Sequence, residues 1–286
     1  MGLVYPVVGN RGASRFPSET MAMIRRAFRM LAAAALLAAV LVRPGAAQTA
    51  ANQDAVRTTD INMVVALDRS ESVDIDERTA QAESLAAALV DPRFVAAVRA
   101  GWLGRIGIAV MTWSSFNRTQ VVVPWTVIAG DRDAAGIVAI LRDYQASGGD
   151  VEHRPQTDIA LALGAGAQLL AAAPFQAPKQ ILNVISDGID NFGREAFVDR
   201  DEALAHGITI NGLVHARGQA IPIVERFFER QVIGGPYAFV LSTPTPDSFT
   251  TAMLRKMLLE IAAAGRSSRP DGSGSMKPPA LRPMRG

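Results

Sequence analysis

From Asp60 onward the chain alternates between two hydrophobic rhythms. Short, nearly unbroken apolar runs occupy Ile61–Leu67 (INMVVAL), Arg105–Thr112 (RIGIAVMT), Thr119–Val123 (TQVVV), Gln180–Ile185 (QILNVI), Ile208–Val214 (ITINGLV) and Tyr237–Leu241. Apolar runs of this length without polar alternation predict strands buried on both faces. Between them, longer Ala- and Leu-rich stretches with helical spacing predict helices over Asp76–Ala100 (broken at Asp91-Pro92), Arg132–Gln145, Asp158–Ala172, Arg194–His206, Pro222–Gln231 and Asp247–Ala263. Strands separated by helices of this length need crossover connections. The predicted fold class is therefore α/β, a doubly wound, mostly parallel sheet with helices on both faces. Thr119–Val123 follows its predecessor after a short link and is the candidate antiparallel edge strand.

The two ends follow different rules. Residues 31–42, LAAAALLAAVLV, form an apolar run preceded by Arg25, Arg26 and Arg29 and followed by Arg43-Pro44 and the small residues Gly45-Ala46-Ala47. A helix over this run rises about 18 Å, short of the ~30 Å hydrocarbon core of a bilayer. A basic stretch, a short apolar run and small residues, in that order, make a secretory signal peptide. Residues 1–47 are thus expected to be a leader, with cleavage near Ala47 and translation beginning at Met21 or Met23, so that the first twenty residues are a spurious extension. Arg25-Arg26-Ala27-Phe28 partly matches a twin-arginine signal, and Sec and Tat export both fit. The expected destination is periplasmic or secreted, with no membrane span in the mature chain. Residues 265–286, with four Gly, four Pro and four Ser, bury too little apolar surface to offset their ordering entropy and are expected to be a disordered basic tail. Residues 48–264 remain as the folded body.

Charge sharpens this division. The chain carries a net charge of +2, but the leader holds six Arg against Glu19 and the tail five Lys/Arg against Asp271. The body between them is acidic, with a net charge of −7. An acidic body lacks the basic face that phosphate contacts need, so no nucleic-acid partner is expected. The absence of cysteine excludes disulfides, thiolate nucleophiles, Cys-ligated zinc and iron–sulfur clusters.

In doubly wound sheets ligands bind beyond the carboxyl ends of the strands, near the switch in strand order. Polar residues stand at those places. Asp68-Arg69-Ser70-Glu71-Ser72 follows the first strand, Trp113-Ser114-Ser115 the second, and Ser186-Asp187-Gly188 follows Gln180–Ile185, while Thr157 opens the helix before that strand. The pattern Asp68-x-Ser70-x-Ser72, then Thr157, then Asp187-Gly188, resembles the metal-ion-dependent adhesion site of von Willebrand factor A (VWA) domains. The resemblance spans roughly Asp60 to Ala264, and all five positions are filled in order. It implies a Rossmann-like VWA fold, similar to exported bacterial VWA-like proteins of unassigned function. It also implies a divalent metal held at Asp68, Ser70, Ser72, Thr157 and Asp187, with the serines binding directly and the carboxylates mostly through water. The chemistry agrees. Mg2+ is a hard cation that takes six oxygens and keeps several waters, and the three hydroxyls favour it over Mn2+ or Ca2+, which also remain open. Arg69 and Glu71 are expected to point away, Asp158 to act in the first turn of its helix, and Asp190 and Asn191 to serve as loop and capping residues.

Other signals are weaker. His153, His206 and His215 lack HExxH spacing and read as surface or loop residues, although His215 ends a strand at the functional edge. No G-x-S-x-G, P-loop or G-x-G-x-x-G pattern occurs. Gly164-Ala165-Gly166 lies within a helix and suggests close packing, and Trp102, Trp113 and Trp125 read as packing residues. The function expected is an exported, metal-dependent protein-binding module, not an enzyme, that captures an acidic side chain of a protein partner. Two alternatives stand beside it. One is a metal-assisted hydrolase with His215 as base; the other is a structural subunit of an envelope assembly stiffened by its metal.

Overall fold

Strand β1, Asn62–Asp68, is buried at every position. Successive side chains of a strand point to opposite faces, and here both faces are covered. Met63, Val65 and Leu67 pack into one core and Val64 and Ala66 into another. That is why the sequence shows no polar alternation. The structure, a computed structural model, describes residues 58–148, 156–215, 218–243 and 246–267. The predicted leader, and the predicted tail beyond Ser267, lie outside the described residues.

Five more strands complete the sheet: β2 (Ile106–Trp113), β3 (Thr119–Ile128), β4 (Gln180–Ser186), β5 (Ile208–His215) and β6 (Val240–Thr243). Their order is β3-β2-β1-β4-β5-β6. Only β3 runs antiparallel to its neighbour; the other pairs are parallel. One face carries helices α1 (Ile75–Val90), α2 (Pro92–Arg99), α3 (Asp131–Ala146) and a long helix near the carboxyl end. The other carries α4 (Ile159–Ala171), α5 (Ala196–Ala205) and α6 (Ile221–Phe227). The long helix, α7, spans Pro246–Ser267 and thus runs three residues into the predicted tail. The predicted α/β, doubly wound, mostly parallel architecture is the one observed.

Local signals explain most boundaries. Asp74 caps α1 in a capping box with Glu77: the Glu77 amide donates to Asp74 Oδ1 at 2.8 Å, and the Asp74 amide to Glu77 Oε2 at 3.4 Å. Asp91 ends α1 and caps α2 with Pro92 in its first turn, which is the predicted break. Gly166 faces β4 so closely that a Cβ there would lie 2.4 Å from Leu182 Cδ1, so the glycine-containing stretch does mark close packing.

Three elements depart from expectation. β3 continues through Pro124 to Ile128, because proline removes a ladder donor that an edge strand does not need; its pairing with β2 shifts register between Ile108 and Met111. β6 begins at Val240 rather than Tyr237, since Tyr237 sits at φ +61° in a turn where the Ala238 amide donates to the Gly235 carbonyl at 3.2 Å. The predicted helix Pro222–Gln231 is α6 followed by a π-turn, Phe228–Val232, in which the Ile233 amide reaches the Phe228 carbonyl at 2.9 Å.

A buried polar network fastens α7 to the sheet. Lys256 and Glu260 form an ion pair inside the core, and Lys256 also donates to Asn183 Oδ1 of β4. Asn183 and Asn211 of β5 donate to the two Glu260 oxygens at 2.9 and 3.0 Å. No helix among the described residues is long and apolar enough to cross a membrane.

Candidate functional site

β1 and β4 are parallel neighbours at the sheet centre, with β2 flanking one and β5 the other. Their carboxyl ends form the crevice of the switch point. Asp68 is the last residue of β1 and Ser186 the last of β4, so both site segments begin there. Asp68 is fully buried; its Oδ1 accepts the Ser70 amide at 2.7 Å and its Oδ2 accepts the Ser186 hydroxyl at 2.5 Å. The Ser70 and Ser72 hydroxyls are 3.1 Å apart, and Ser72 donates to Asp187 Oδ1 at 2.8 Å. Asp68, Ser70, Ser72 and Asp187 thus form one connected set running from the buried strand end to the surface.

Thr157 reaches the same edge by another route. Its amide donates to Asn191 Oδ1 at 2.8 Å and its carbonyl accepts the Asn191 amide at 3.0 Å. Asp190 Oδ2 accepts the Ile159 and Ala160 amides at 2.8 and 3.3 Å, capping α4 together with Asp158, whose Oδ1 accepts the Leu161 amide at 2.8 Å. The loop that starts at Asp187 therefore clamps Thr157. Among the described residues no hydrogen bond joins the Thr157 hydroxyl to the other four residues. The loop and capping roles expected of Asp190 and Asn191 match these contacts, whereas Asp158, expected in the first turn of the helix, is its N-cap.

The electrostatics of the set are unusual. Burial, reinforced by the nearby Asp187 carboxylate, pushes Asp68 up to about 7, against partial relief from the Ser186 and Ser70 donors. Asp187 is raised too, first by burial and then by Glu77, with Ser72 and His215 working the other way. Arg69 does not neutralise them. It is buried, with its guanidinium 6.0 Å from the Tyr144 ring centre and a bond of 3.4 Å to its neighbour's carbonyl, while Glu71 is exposed. Among the described residues neither carboxylate has an Arg or Lys in salt-bridge reach.

At this edge the sequence reading misses Glu77, and it places His215 at a strand end, where it is found, but as a surface or loop residue. His215 is buried rather than on the surface; its Nδ1 lies 3.1 Å from Thr243 Oγ1 and its Nε2 3.5 Å from Glu77 Oε1. Glu77, which nothing in the sequence singles out, is buried, with its Oε1 3.5 Å from His215 and its charge helping to raise Asp187. His206 is exposed, as expected, and His153 lies outside the described residues. Trp113 is buried and Trp125 packs against Phe175 with its Nε1 3.2 Å from the Leu169 carbonyl. Trp102, in contrast, is 85% exposed and packs in no core.

The donor set suits a hard cation. It offers two carboxylates and neighbouring hydroxyls, all oxygen, while the nearby Arg69 and Arg78 guanidiniums donate to the backbone carbonyls of Asp68, Arg69 and Ser70 rather than to either carboxylate. No group of three or more His, Cys, Asp or Glu among the described residues is arranged to hold a metal, so an ion at this edge depends on the hydroxyls.

Among solved structures, the chain is similar to proximal thread matrix protein 1 from the mussel byssus with a zinc occupied MIDAS motif. The identity is 18% and the TM-score 0.52, over 72% of this chain and 48% of that one. A second crystal form of that mussel protein gives 16% identity and a TM-score of 0.51, over 72% of this chain and 49% of the other. The PilB minor pilin from Streptococcus sanguinis gives 11% and 0.50, over 74% and 64%. The chain spans about half the length of the mussel structures it matches. The likeness establishes the fold, which is that of VWA domains. No curated protein matches. Residues 58–265 match a family described as "Protein of unknown function (DUF1194)".

Proposed function

The chain belongs to the DUF1194 family, and on that premise we propose that it is an exported, divalent-metal-dependent protein-binding module. In this reading Asp68, Ser70, Ser72, Thr157 and Asp187 hold the ion, and the site captures an acidic side chain of a partner protein. The observation that carries the reading is the connected set Asp68–Ser70–Ser72–Asp187, with Asp68 pushed up to about 7 by burial beside a second carboxylate. Two adjacent acids that no Arg or Lys among the described residues pairs with are what a cation would stabilise most.

The roles of the residues follow from their contacts. Asp68, held by Ser70 and Ser186, fixes the floor of the site. Ser72 and Asp187 form its outer wall, where solvent and a partner have access. Asn191 and Asp190 hold the Thr157 segment to the loop that follows Asp187. A bound divalent cation would supply a Lewis-acidic centre with few direct anionic ligands, preferably Mg2+ because every donor is a hard oxygen. A carboxylate from outside can then complete its shell. The zinc occupied MIDAS motif of the mussel structure gives support at the level of the fold.

Hydrolytic catalysis finds less support. It calls for a base near the ion, and both ring nitrogens of His215 are engaged, one by Thr243 and one by Glu77, away from solvent.

The test is thermal unfolding of the full chain, stripped with EDTA and then supplied with Mg2+, Mn2+ or Ca2+, beside Ser70→Ala and Asp187→Asn. A ligand at a hundred times its dissociation constant stabilises by about 2.7 kcal/mol. A metal-dependent rise in Tm in the wild type, absent in both variants, is expected. No rise with any of the three ions would sink the proposal.

A further inference from the structure

Exposed apolar side chains stand in the loops at the carboxyl edge that carries the polar site. Ile75 is 67% exposed, Phe116 60% and Ile189 41%. Two lie in segments that carry site residues, Ile75 after Ser72 at the start of α1 and Ile189 after Asp187; Phe116 lies in the loop after β2, whose Ser115 holds the Gln156 amide next to Thr157. Single exposed apolar residues are ordinary on any surface. Several converging on one edge, around a polar centre, make the anatomy of an interface.

Phe116 is the best-placed of them. It packs edge-on against Phe192, with ring centres 5.0 Å apart at 78°. Phe192 adjoins Asn191, which clamps Thr157, and Phe116 adjoins Ser115, whose Oγ accepts the Gln156 amide at 2.8 Å. The aromatic pair therefore joins the loop after β2 to the loop after β4, directly beside Thr157. The backbone that presents it is strained. Phe116 and Asn117 both sit at φ +59°, a left-handed conformation that residues other than glycine rarely adopt and that tends to be kept at functional positions. A ring kept exposed at the end of a strained turn is not serving the core.

Resting on the metal-dependent reading, we propose that the partner segment carries an apolar or aromatic residue within two positions of its acidic residue. The acid enters the Asp68–Ser70–Ser72–Asp187 site while its apolar neighbour packs on Phe116 and Phe192, with Ile189 and Ile75 completing the rim. Charge complementarity selects the acid, and burial of the ring face selects its neighbour. The occupant is thus a protein segment of mixed acidic and apolar character, not a bare carboxylate and not a uniformly acidic stretch.

The experiment uses random heptapeptides displayed on phage, panned on the full chain in millimolar Mg2+ and eluted with EDTA. Selected peptides are then synthesised and titrated against wild type and Phe116→Asn, a substitution that suits a left-handed backbone. The expected pool is rich in Asp or Glu with Leu, Phe, Tyr or Trp within two positions. Phe116→Asn should weaken those peptides roughly tenfold, the scale of losing one partly buried aromatic contact, while leaving the Mg2+-dependent rise in Tm unchanged. An acidic pool with no apolar enrichment, or equal binding by Phe116→Asn, would overturn the rim and leave the metal-dependent reading standing. The absence of any EDTA-eluted pool would overturn that reading and the rim with it.

Discussion

Replacing Asp68 by Asn should stabilise the metal-free protein at alkaline pH. Asp68 is fully buried and its carboxyl is raised from 3.8 to about 7. For an acid raised on folding, the native state holds its proton more tightly than the unfolded chain. Stability is then greatest below the unfolded value, declines as pH rises from about 4 through 7, and levels off above. At about 1.4 kcal/mol for each tenfold change in proton affinity, the ionised carboxylate costs about 4 kcal/mol at pH 8. Asn keeps an acceptor for the Ser70 amide but turns an amide donor toward Ser186, which now donates to Asp68. That rearranged bond costs about 1 kcal/mol. A net gain of about 2–3 kcal/mol remains, or about 5–10 °C in Tm for a domain of this size. The assay is urea or thermal unfolding of both proteins in EDTA between pH 4.5 and 8.5, following their difference so that other titrating groups cancel. The variant should be equal or slightly weaker at the acid end and stronger at the alkaline end. Millimolar Mg2+ should reverse the alkaline order, because only the wild type keeps the carboxylate. A difference that stays flat with pH would refute the reasoning.

Other outcomes follow from the same structure. Asn191→Ala removes the clamp on Thr157 and should weaken Mg2+ binding about tenfold by calorimetry, while changing metal-free stability by about 1 kcal/mol. Lys256→Met leaves Glu260 buried without its ion-pair partner and should cost about 3–5 kcal/mol in urea unfolding; a cost below 1 kcal/mol would mean that the network does not hold α7. Gly166→Ala places a methyl against Leu182, and overpacking of about 1–3 kcal/mol should outweigh the helical preference of alanine, lowering Tm by a few degrees.

Much of this molecule is written in local patterns. Apolar runs without alternation mark β1, β2, β4 and β5 because each is buried on both faces, and the break at Asp91-Pro92 is a cap and a first-turn proline. What failed to show depends on neighbours remote in sequence. Pro124 looks like the end of a strand even in a segment already read as the edge, and only the pairing with β2 carries that strand on to Ile128; Phe228–Val232 looks helical, and its π-turn goes with a Phe228 buried in the core. The site divides in the same way. That Asp68, Ser70, Ser72 and Asp187 come together was readable because they stand at or just past the ends of the buried strands β1 and β4, which are neighbours. The burial of Glu77 and His215 was not, because a glutamate in a first helical turn and a strand-end histidine look alike whether exposed or buried. Their burial is decided by where α1 and α7 pack, through contacts such as that of Phe249 with His215.

The two margins of the sheet have a consequence for how this protein meets others. An open sheet normally ends in rows of unpaired amides and carbonyls that invite another strand. Here one margin, β3, is interrupted by Pro124 and by its shift in register, and the other, β6, is only four residues long. Neither offers a template on which a foreign strand can zip up. Association through backbone ladders, the route by which sheets polymerise, is thereby discouraged at both sides. In the proposed binding role, recognition then falls to side chains at the carboxyl edge of the sheet rather than to strand addition at its margins.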